Sequence, residues 1–191
     1  MNTLMGIGIF SWIAFFAWAL SEIVVVIREI VLRRNINARE SEKISKIFIR
    51  IAIYVSAILV FVLHSYEWSV GQPIANLGAI LMLVGIAIRM WAVYTLGKSF
   101  TSHVSVYSEQ TVVREGLYKT IRHPAYLGLL CTLTFWGIAF NSWLASCIVL
   151  CLMLPCVLYR IRVEERMLEL NFGSAYREYC QQTWRLLPHI W

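Results

Sequence analysis

The sequence is poor in charge. Only 15% of its 191 residues are Asp, Glu, Lys or Arg, whereas an ordinary globular domain averages about 25%. Hydrophobic residues make up 59% of the chain, and its mean hydropathy is +0.66. This composition excludes a typical water-soluble domain, and we therefore expect an integral membrane protein that forms a single domain, 1–191.

Motifs that would indicate several other functions are also missing. There is no Gly-x-Gly-x-x-Gly fingerprint of a dinucleotide-binding domain. The five cysteines form no Cys-x-x-Cys pair and have no histidine at zinc-site spacing, so we expect no metal and interpret them as small buried side chains. The net charge of +6 is spread around apolar runs and forms no separate basic domain, so no nucleic-acid partner is expected.

Five apolar runs predict an all-α protein with about five transmembrane helices. They are Leu4 to Ile27, Ile47 to Leu63, Ile74 to Leu96, Ala125 to Phe140 and Trp143 to Tyr159. Only Asn141 and Ser142 separate the last two runs, which predicts a tight helical hairpin. The first run has no cationic leader or small-residue cleavage site, so we expect a retained helix and not a signal peptide.

Basic residues cluster in the segments 33–46 and 98–124 and in the tail from Arg160. The positive-inside rule places all three clusters on the cytoplasmic side and the amino terminus outside. The three spans of residues 1–96 form the first part of the domain, and residues 97–191 form the second. We expect a prokaryotic inner membrane, because the amino terminus is short.

Four residues inside the spans are notable. Gly78 and Gly85 lie on one helical face, where a neighbouring helix can approach closely. Glu22 and Arg89 are ionisable and lie near the ends of their spans, so we expect the Arg89 guanidinium to extend to the membrane surface. A transporter would more often show an internal repeat and polar residues at the bilayer midplane, and we find no repeat.

The stretch from Gly116 to Gly128 (GLYKTIRHPAYLG) lies between two strongly apolar regions. Pro124 has no amide hydrogen and disfavours the α conformation at His123, so a helix is predicted to begin at or just after the proline. The free amides of its first turn and the positive end of the helix dipole favour a carboxylate or phosphate ligand. The alternative interpretation is that Arg122 and His123 only mark the membrane surface.

A second polar cluster, Tyr159 to Arg166, follows the last span and continues its helix. Arg160 and Glu164 are four residues apart and share a face, which is also typical of an ordinary ion pair at an interface. Because the predicted topology brings this cluster to the same membrane surface as the GLYKTIRHPAYLG stretch, we expect the two to converge. Beyond it, Gly173 should break the helix, and a short helix over Ser174 to Gln182 should begin a tail that caps the pocket.

The order of these motifs resembles the isoprenylcysteine carboxyl methyltransferase family, together with the related phospholipid methyltransferases. The matching segments are GLY, IRHPAYLG, the apolar hairpin, RIRVEERMLELNFGSAYREY and the closing LLP, and they extend from about Phe100 to Pro188. The resemblance implies a membrane enzyme that uses S-adenosylmethionine without a Rossmann domain, with residues 97–191 as its methyltransferase core.

The resemblance also implies roles for particular residues. Glu164 matches an acidic residue that holds the cofactor amino group, with Glu165 as its neighbour, and Arg160 matches the catalytic, substrate-binding position that meets the substrate carboxylate. The other implied cofactor contacts are Gln110, Thr111, Val112, Val113, Tyr118, His123, Pro124, Ala125 and Tyr126. Gln110 departs from the pattern, since many relatives carry histidine at that position, and many carry arginine or threonine where Thr111 and Arg114 stand.

The chemistry implied by this family needs little from the protein, because the sulfonium of S-adenosylmethionine is already electrophilic. A carboxylate acceptor needs no general base, whereas an amine would need one, and only His123 and Glu165 are candidates. We therefore expect methyl transfer to the carboxylate of a hydrophobic or lipid-linked substrate such as prenylated cysteine, with membrane lipid as a further partner. The alternatives are a phospholipid N-methyltransferase or small-thiol S-methyltransferase, and a non-enzymatic scaffold or transporter. The oligomeric state is left open.

Overall fold

The protein is described by a computed structural model that covers residues 7–32, 40–64, 69–97 and 112–188. Its helices are α1 Ile9–Leu32, α2 Glu40–His64, α3 Gln72–Leu96, α4 Pro124–Ala139, α5 Trp143–Phe172 and α6 Ser174–Gln182. A single 3-10 turn, Gly116–Lys119, precedes α4. No strand occurs in these ranges, so the prediction of an all-α multi-pass membrane protein is confirmed.

The helices differ in how far they can reach across a membrane. The helices α1, α2, α3 and α5 are long and apolar enough to cross it. Helix α4 has 16 residues, which corresponds to about 24 Å against a hydrocarbon layer of about 30 Å. Helix α5 has 30 residues and continues well beyond its apolar part. The described residues therefore contain four full spans and one shorter apolar helix, in agreement with the expectation of about five apolar helices.

Contacts at the helix ends show that α1 to α5 alternate in direction. At one end of the bundle, the Ser11 hydroxyl of α1 donates to Ala139 O of α4 (2.5 Å), and His64 Nδ1 of α2 lies 2.6 Å from Phe140 O. At the other end, Arg28 of α1 donates to Gly97 O, just after α3 (3.4 Å). The charged residues of α1, α2 and α5 described below lie towards this second end, which we call the polar end.

The predicted hairpin between α4 and α5 is tight. Asn141 adopts a positive φ of 63°, and its side-chain oxygen accepts from the amides of Val70 (3.1 Å) and Gly71 (2.9 Å). Ser142 caps α5 by accepting from Ala145 N (3.2 Å). The side chain of Asn141 therefore joins the hairpin to the start of α3.

Helices α3 and α4 pack closely through glycines. A Cβ added at Gly85 would lie 2.9 Å from Gly128 O, and one added at Gly128 would lie 2.7 Å from Gly85 O and 2.6 Å from Arg89 N. At Gly78, an added Cβ would lie 2.7 Å from Ala139 N. The prediction that Gly78 and Gly85 admit a neighbouring helix is confirmed, and that neighbour is α4 of the same chain.

The core away from the polar end is aromatic. Trp18 of α1 and Trp136 of α4 have ring centroids 4.6 Å apart, and Phe61 of α2 and Phe140 contact Trp136 edge-on. These rings join three helices through large contact areas. Many other large apolar side chains, such as Phe16, are exposed on the outside of the bundle, as expected where lipid surrounds a protein.

Two expectations about individual residues were wrong. The cysteines are not buried, since Cys147 and Cys151 are exposed and the other three are half-buried, because they lie on outward or boundary faces of their helices. Arg89 does not reach the surface. It is 9% exposed, because its guanidinium pairs with the Glu22 carboxylate inside the bundle, with Nη2 3.3 Å from Oε2.

The α3 and α4 contact leads to a stability prediction. Gly128→Ala should lower the free energy of unfolding by about 1–3 kcal/mol, because the new methyl group would meet backbone atoms of α3 that cannot move aside. Ala87→Leu, on the exposed side of α3, is the matched control and should unfold like the parent. Thermal unfolding in detergent measures both, and equal midpoints for Gly128→Ala and the parent would contradict this packing.

Candidate active site

The segment before α4 has the conformation that its proline predicts. Helix α4 begins at Pro124, and His123 precedes it with φ −125° and ψ 53°, outside the α region. The amides of Tyr126 and Leu127 donate to His123 O at 3.1 and 3.2 Å, so these first-turn groups are already paired. The His123 ring is 4% exposed and lies beside the Tyr126 ring, with centroids 5.8 Å apart.

The tail after α6 pairs with this segment along its backbone. Arg122 N donates to Trp184 O (2.8 Å), His123 N to Arg185 O (3.1 Å) and Trp184 N to Thr120 O (2.9 Å). These bonds use main-chain groups on both sides, as in a short stretch of sheet. The tail is therefore attached to the segment that carries the predicted site, in agreement with the expectation that it caps this region.

The Arg122 side chain strengthens the same attachment. Its guanidinium donates to Cys180 O (3.0 Å) and to Thr183 O, and its Nε donates to Glu165 Oε1 (3.1 Å). Since Arg122 has a 9% exposed side chain and is held by acceptors on three residues, it is a structural link between α5, the tail and the start of α4.

Glu165 is the acceptor at the centre of this link. Besides Arg122, it pairs with Arg185 Nε at 2.9 Å, and His123 Nε2 lies 3.4 Å from it. His123 Nε2 is buried and has no well-formed hydrogen bond to any described residue. Glu165 is therefore engaged with cationic neighbours, which makes it a poor general base.

Next to Glu165, three polar side chains of α4 and α5 form a chain of hydrogen bonds. The Tyr126 hydroxyl donates to Glu164 Oε2 (2.6 Å) and accepts from Arg160 Nε (3.1 Å). Arg160 also donates to the Ser45 hydroxyl of α2 (2.7 Å), and its Nε lies 3.6 Å from Glu164 Oε2. The structure thus brings together two clusters that are more than thirty residues apart in sequence.

The two ends of this chain differ in exposure. The Arg160 side chain is 3% exposed, whereas that of Glu164 is 29% exposed. A ligand can therefore approach Glu164 from outside the bundle, while Arg160 is reached from within it.

Buried tyrosines surround this region but cannot act as bases. Tyr179 donates its hydroxyl hydrogen to Tyr118 O (2.7 Å). Burial raises the pKa of both phenols well above their usual range, and the Glu164 carboxylate raises that of Tyr118 further. Both therefore stay neutral at physiological pH.

A cavity of about 150 Å³ lies among α1 to α5 at the polar end, next to Arg160 and Tyr126. Its apolar lining includes Trp18, Val25, Val26, Ile49, Ile53 and Leu129. Charged side chains of α1, α2 and α3 complete the wall as ion pairs: Glu22 with Arg89, and Glu29 with Arg50 and Lys46. The cavity therefore has an apolar part and a charged part. Arg160 lines the cavity and is connected through Tyr126 to Glu164.

The remaining predicted cofactor contacts are only partly visible. Gln110 and Thr111 lie outside the described residues, and Val112 and Val113 are half-buried just before the 3-10 turn. Pro124 is buried and Ala125 is half-buried at the start of α4. Their roles stay predictions, as do those of Tyr118, His123, Tyr126, Arg160, Glu164 and Glu165.

Sequence reasoning missed the contribution of α1 and α2. Ser45, Lys46 and Arg50 were interpreted only as part of a topology signal or an apolar span, although Lys46 and Arg50 are four residues apart and share a face that now meets Glu29. That spacing was a usable signal. No such signal in the sequence indicates the partner of Ser45, because Arg160 lies 115 positions away. Among the described residues, no group of His, Cys, Asp or Glu is arranged to hold a metal ion.

Comparison with known proteins adds independent evidence. Residues 78–170 match the sequence profile of the isoprenylcysteine carboxyl methyltransferase (ICMT) family. A probable protein-S-isoprenylcysteine O-methyltransferase of Oryza sativa subsp. indica is 30% identical over 61% of this chain and 62% of its own length. Protein-S-isoprenylcysteine O-methyltransferase B of Arabidopsis thaliana is 29% identical over 72% and 68%, respectively. The Saccharomyces cerevisiae protein-S-isoprenylcysteine O-methyltransferase is 31% identical over 67% and 55%.

A solved structure agrees with these relatives. The eukaryotic intramembrane Ras methyltransferase ICMT matches with a TM-score of 0.57 and 26% identity, over 74% of this chain and 52% of its own. The chain thus spans 62% of the length of the rice relative and about half of the solved structure. The match includes α3 from Gly78, α4 and nearly all of α5. Over residues 78–170, the chain is similar to the isoprenylcysteine carboxyl methyltransferase family.

Proposed function

We propose that this protein transfers a methyl group from S-adenosylmethionine to the carboxylate of a hydrophobic or lipid-linked acceptor, with prenylated cysteine as the representative substrate. The observation that carries the proposal is the hydrogen-bonded chain of Arg160, Tyr126 and Glu164. It joins a buried cation that lines an intramembrane cavity to a carboxylate that is accessible from outside the bundle.

The residues on the Glu164 side suit the cofactor. The Glu164 carboxylate is partly exposed and can pair with the amino group of S-adenosylmethionine. His123, buried with an unsatisfied Nε2, and the half-buried Val112 and Val113 supply further contacts in this proposal. When bound, the cofactor supplies an electrophilic methyl group, so these residues need only hold it in position and exclude water.

The Arg160 side suits the acceptor. A guanidinium offers a carboxylate two parallel hydrogen bonds, and Arg160 already borders the cavity. The apolar side chains of Val26 and Ile53 line the same cavity, which suits the hydrophobic part of the acceptor. The cavity is about as large as one that holds benzene, so a longer lipid chain must continue beyond it, into the bilayer.

The surroundings favour a carboxylate over an amine. An amine would arrive protonated and need a base. Of the two candidates, Glu165 is paired with Arg122 and Arg185, and the buried His123 is assigned to a cofactor contact in this proposal. Tyr118 and Tyr179 are held neutral by burial, which raises the pKa of both. An ionised carboxylate needs no proton transfer, and orientation by Arg160 is sufficient.

The proposed site lies at the polar end of the bundle, and we place that end on the cytoplasmic side from the distribution of basic residues. A prokaryotic inner membrane stays a prediction, since the relatives described above are eukaryotic.

The proposed activity is tested by methyl transfer from labelled S-adenosylmethionine in detergent-purified protein. N-acetyl-S-farnesylcysteine and phosphatidylethanolamine are offered in parallel. We expect base-labile label on the cysteine compound, because a methyl ester hydrolyses in base and a methylated amine does not. Base-stable label on the phospholipid would move the reaction to nitrogen, and failure to bind S-adenosylhomocysteine would contradict a methyltransferase.

Variants at the two ends of the hydrogen-bonded chain should have different effects. Glu164→Ala should abolish or strongly weaken S-adenosylhomocysteine binding, because the cofactor amino group loses its carboxylate. Arg160→Ala should retain that binding and lower kcat/KM for the acceptor about 10- to 150-fold, as expected for one charged hydrogen-bonding partner. Calorimetry and initial rates measure the two effects, and parent-like behaviour of both variants would refute these site assignments.

The cavity leads to a further prediction, in which a substitution affects the acceptor and leaves binding of the cofactor product unchanged. Val26→Phe should lower kcat/KM for the acceptor about tenfold or more by filling the cavity, while S-adenosylhomocysteine binds as before. Ile23→Phe is the matched control, one turn away on α1 and 54% exposed on the outer surface. Equal rates for the Val26→Phe and Ile23→Phe variants would show that the acceptor does not use this cavity.

A further inference from the structure

The Tyr126 hydroxyl lies between a cation and a carboxylate that would otherwise meet. Arg160 and Glu164 are one turn apart on α5, the spacing at which opposite charges pair directly on a helix. A direct charged hydrogen bond would be about 2.7–2.9 Å long, yet Arg160 Nε is 3.6 Å from Glu164 Oε2. The Tyr126 hydroxyl instead bonds both the Arg160 Nε and the Glu164 Oε2 atoms.

The hydrogen-bond roles of these groups are determined by their chemistry. A guanidinium has no acceptor and an ionised carboxylate has no donor. The phenol must therefore accept from Arg160 Nε (3.1 Å) and donate its single hydrogen to Glu164 Oε2 (2.6 Å). The hydroxyl fills both roles at once and leaves the rest of each charged group to other partners.

The phenol ring is fixed in this place by the fold. Tyr126 stands on the first turn of α4, packs against the buried His123 ring and lines the cavity together with Arg160. Its backbone amide is bonded to His123 O (3.1 Å). Because α4 and α5 are also joined by the tight hairpin, the hydroxyl cannot easily leave the space between the two charges.

We propose that Tyr126 is a positioning residue whose hydroxyl keeps Arg160 and Glu164 from closing to a direct, hydrogen-bonded salt bridge. The inference rests on the proposed function, because it assigns Glu164 to the cofactor amino group and Arg160 to the acceptor carboxylate. Without the hydroxyl, the two side chains close the gap between them and neutralise each other. The cofactor then competes with Arg160 for Glu164, and the acceptor competes with Glu164 for Arg160.

This role makes a prediction that a direct contact between Tyr126 and the cofactor does not. Tyr126→Phe keeps the ring and removes only the hydroxyl, and it should weaken S-adenosylhomocysteine binding about tenfold because Arg160 now occupies Glu164. Adding Arg160→Gln to this variant removes the competing charge. The double variant Tyr126→Phe/Arg160→Gln should therefore bind S-adenosylhomocysteine within about twofold of the parent.

The experiment is isothermal titration calorimetry with S-adenosylhomocysteine on the full chain in detergent. It needs no acceptor, so the identity of the methyl acceptor does not affect the result. Arg160→Gln alone should bind as the parent does. Tyr159→Phe is the matched control, a neighbouring tyrosine on α5 that is 45% exposed, and it should also bind as the parent does. Size-exclusion profiles and unfolding midpoints confirm that every variant is folded.

A second measurement follows the acceptor. With N-acetyl-S-farnesylcysteine, Tyr126→Phe should raise the acceptor KM about tenfold and leave kcat at saturating concentrations of both ligands within about threefold of the parent. General loss of structure would lower kcat and would not be reversed by a second substitution.

The outcomes separate this inference from the proposed function. If the parent binds S-adenosylhomocysteine and the double variant binds as weakly as Tyr126→Phe, the hydroxyl acts on the cofactor directly and the spacing role is wrong. Unchanged binding by Tyr126→Phe also overturns it. A parent that does not bind S-adenosylhomocysteine overturns the proposed function, and this inference with it.

Discussion

The close approach of α3 and α4 is the constraint on which the polar end of the molecule depends. Gly85 and Gly128 have no side chains to separate the helices, and any Cβ there would meet backbone atoms at less than 3 Å. The first turns of α4 are therefore held against α3 at Arg89. Because Tyr126 stands on the first of these turns and α5 returns through a tight hairpin, this contact sets the position of its hydroxyl relative to α5.

Charge pairing is the second constraint, and it follows from the apolar composition. An unpaired charge within a bilayer costs several kcal/mol. In the described part of the polar end, charged side chains avoid this cost by forming ion pairs between helices. Glu22 of α1 meets Arg89 of α3, and Glu29 of α1 meets Arg50 of α2. Such pairs add little net stability, because desolvation offsets their attraction, but removing one partner is expensive. They therefore define which helices can be neighbours around the cavity.

The chain divides its proposed tasks between two regions. The family match begins at residue 78 and contains Arg89, Tyr126 and Arg160. Most of the remaining cavity wall comes from α1 and α2, which precede the match. In the proposed function, the matching region holds the cofactor and the acceptor carboxylate, and the preceding helices meet the rest of the acceptor. Selectivity among acceptors would then depend on helices that precede the family match.

The sequence by itself determined the membrane class, the apolar helices and several exact boundaries, because these depend on local properties. Pro124 starts α4, Gly173 ends α5, and the hydropathy of each run is independent of its neighbours. It also indicated the family that residues 78–170 resemble, since the motif order is a linear property. Only the tertiary structure decided that Arg89 pairs inward with Glu22 and that Tyr126 bridges Arg160 and Glu164. Those contacts join residues 34 to 67 positions apart, and no local pattern specifies which distant charge satisfies a buried one.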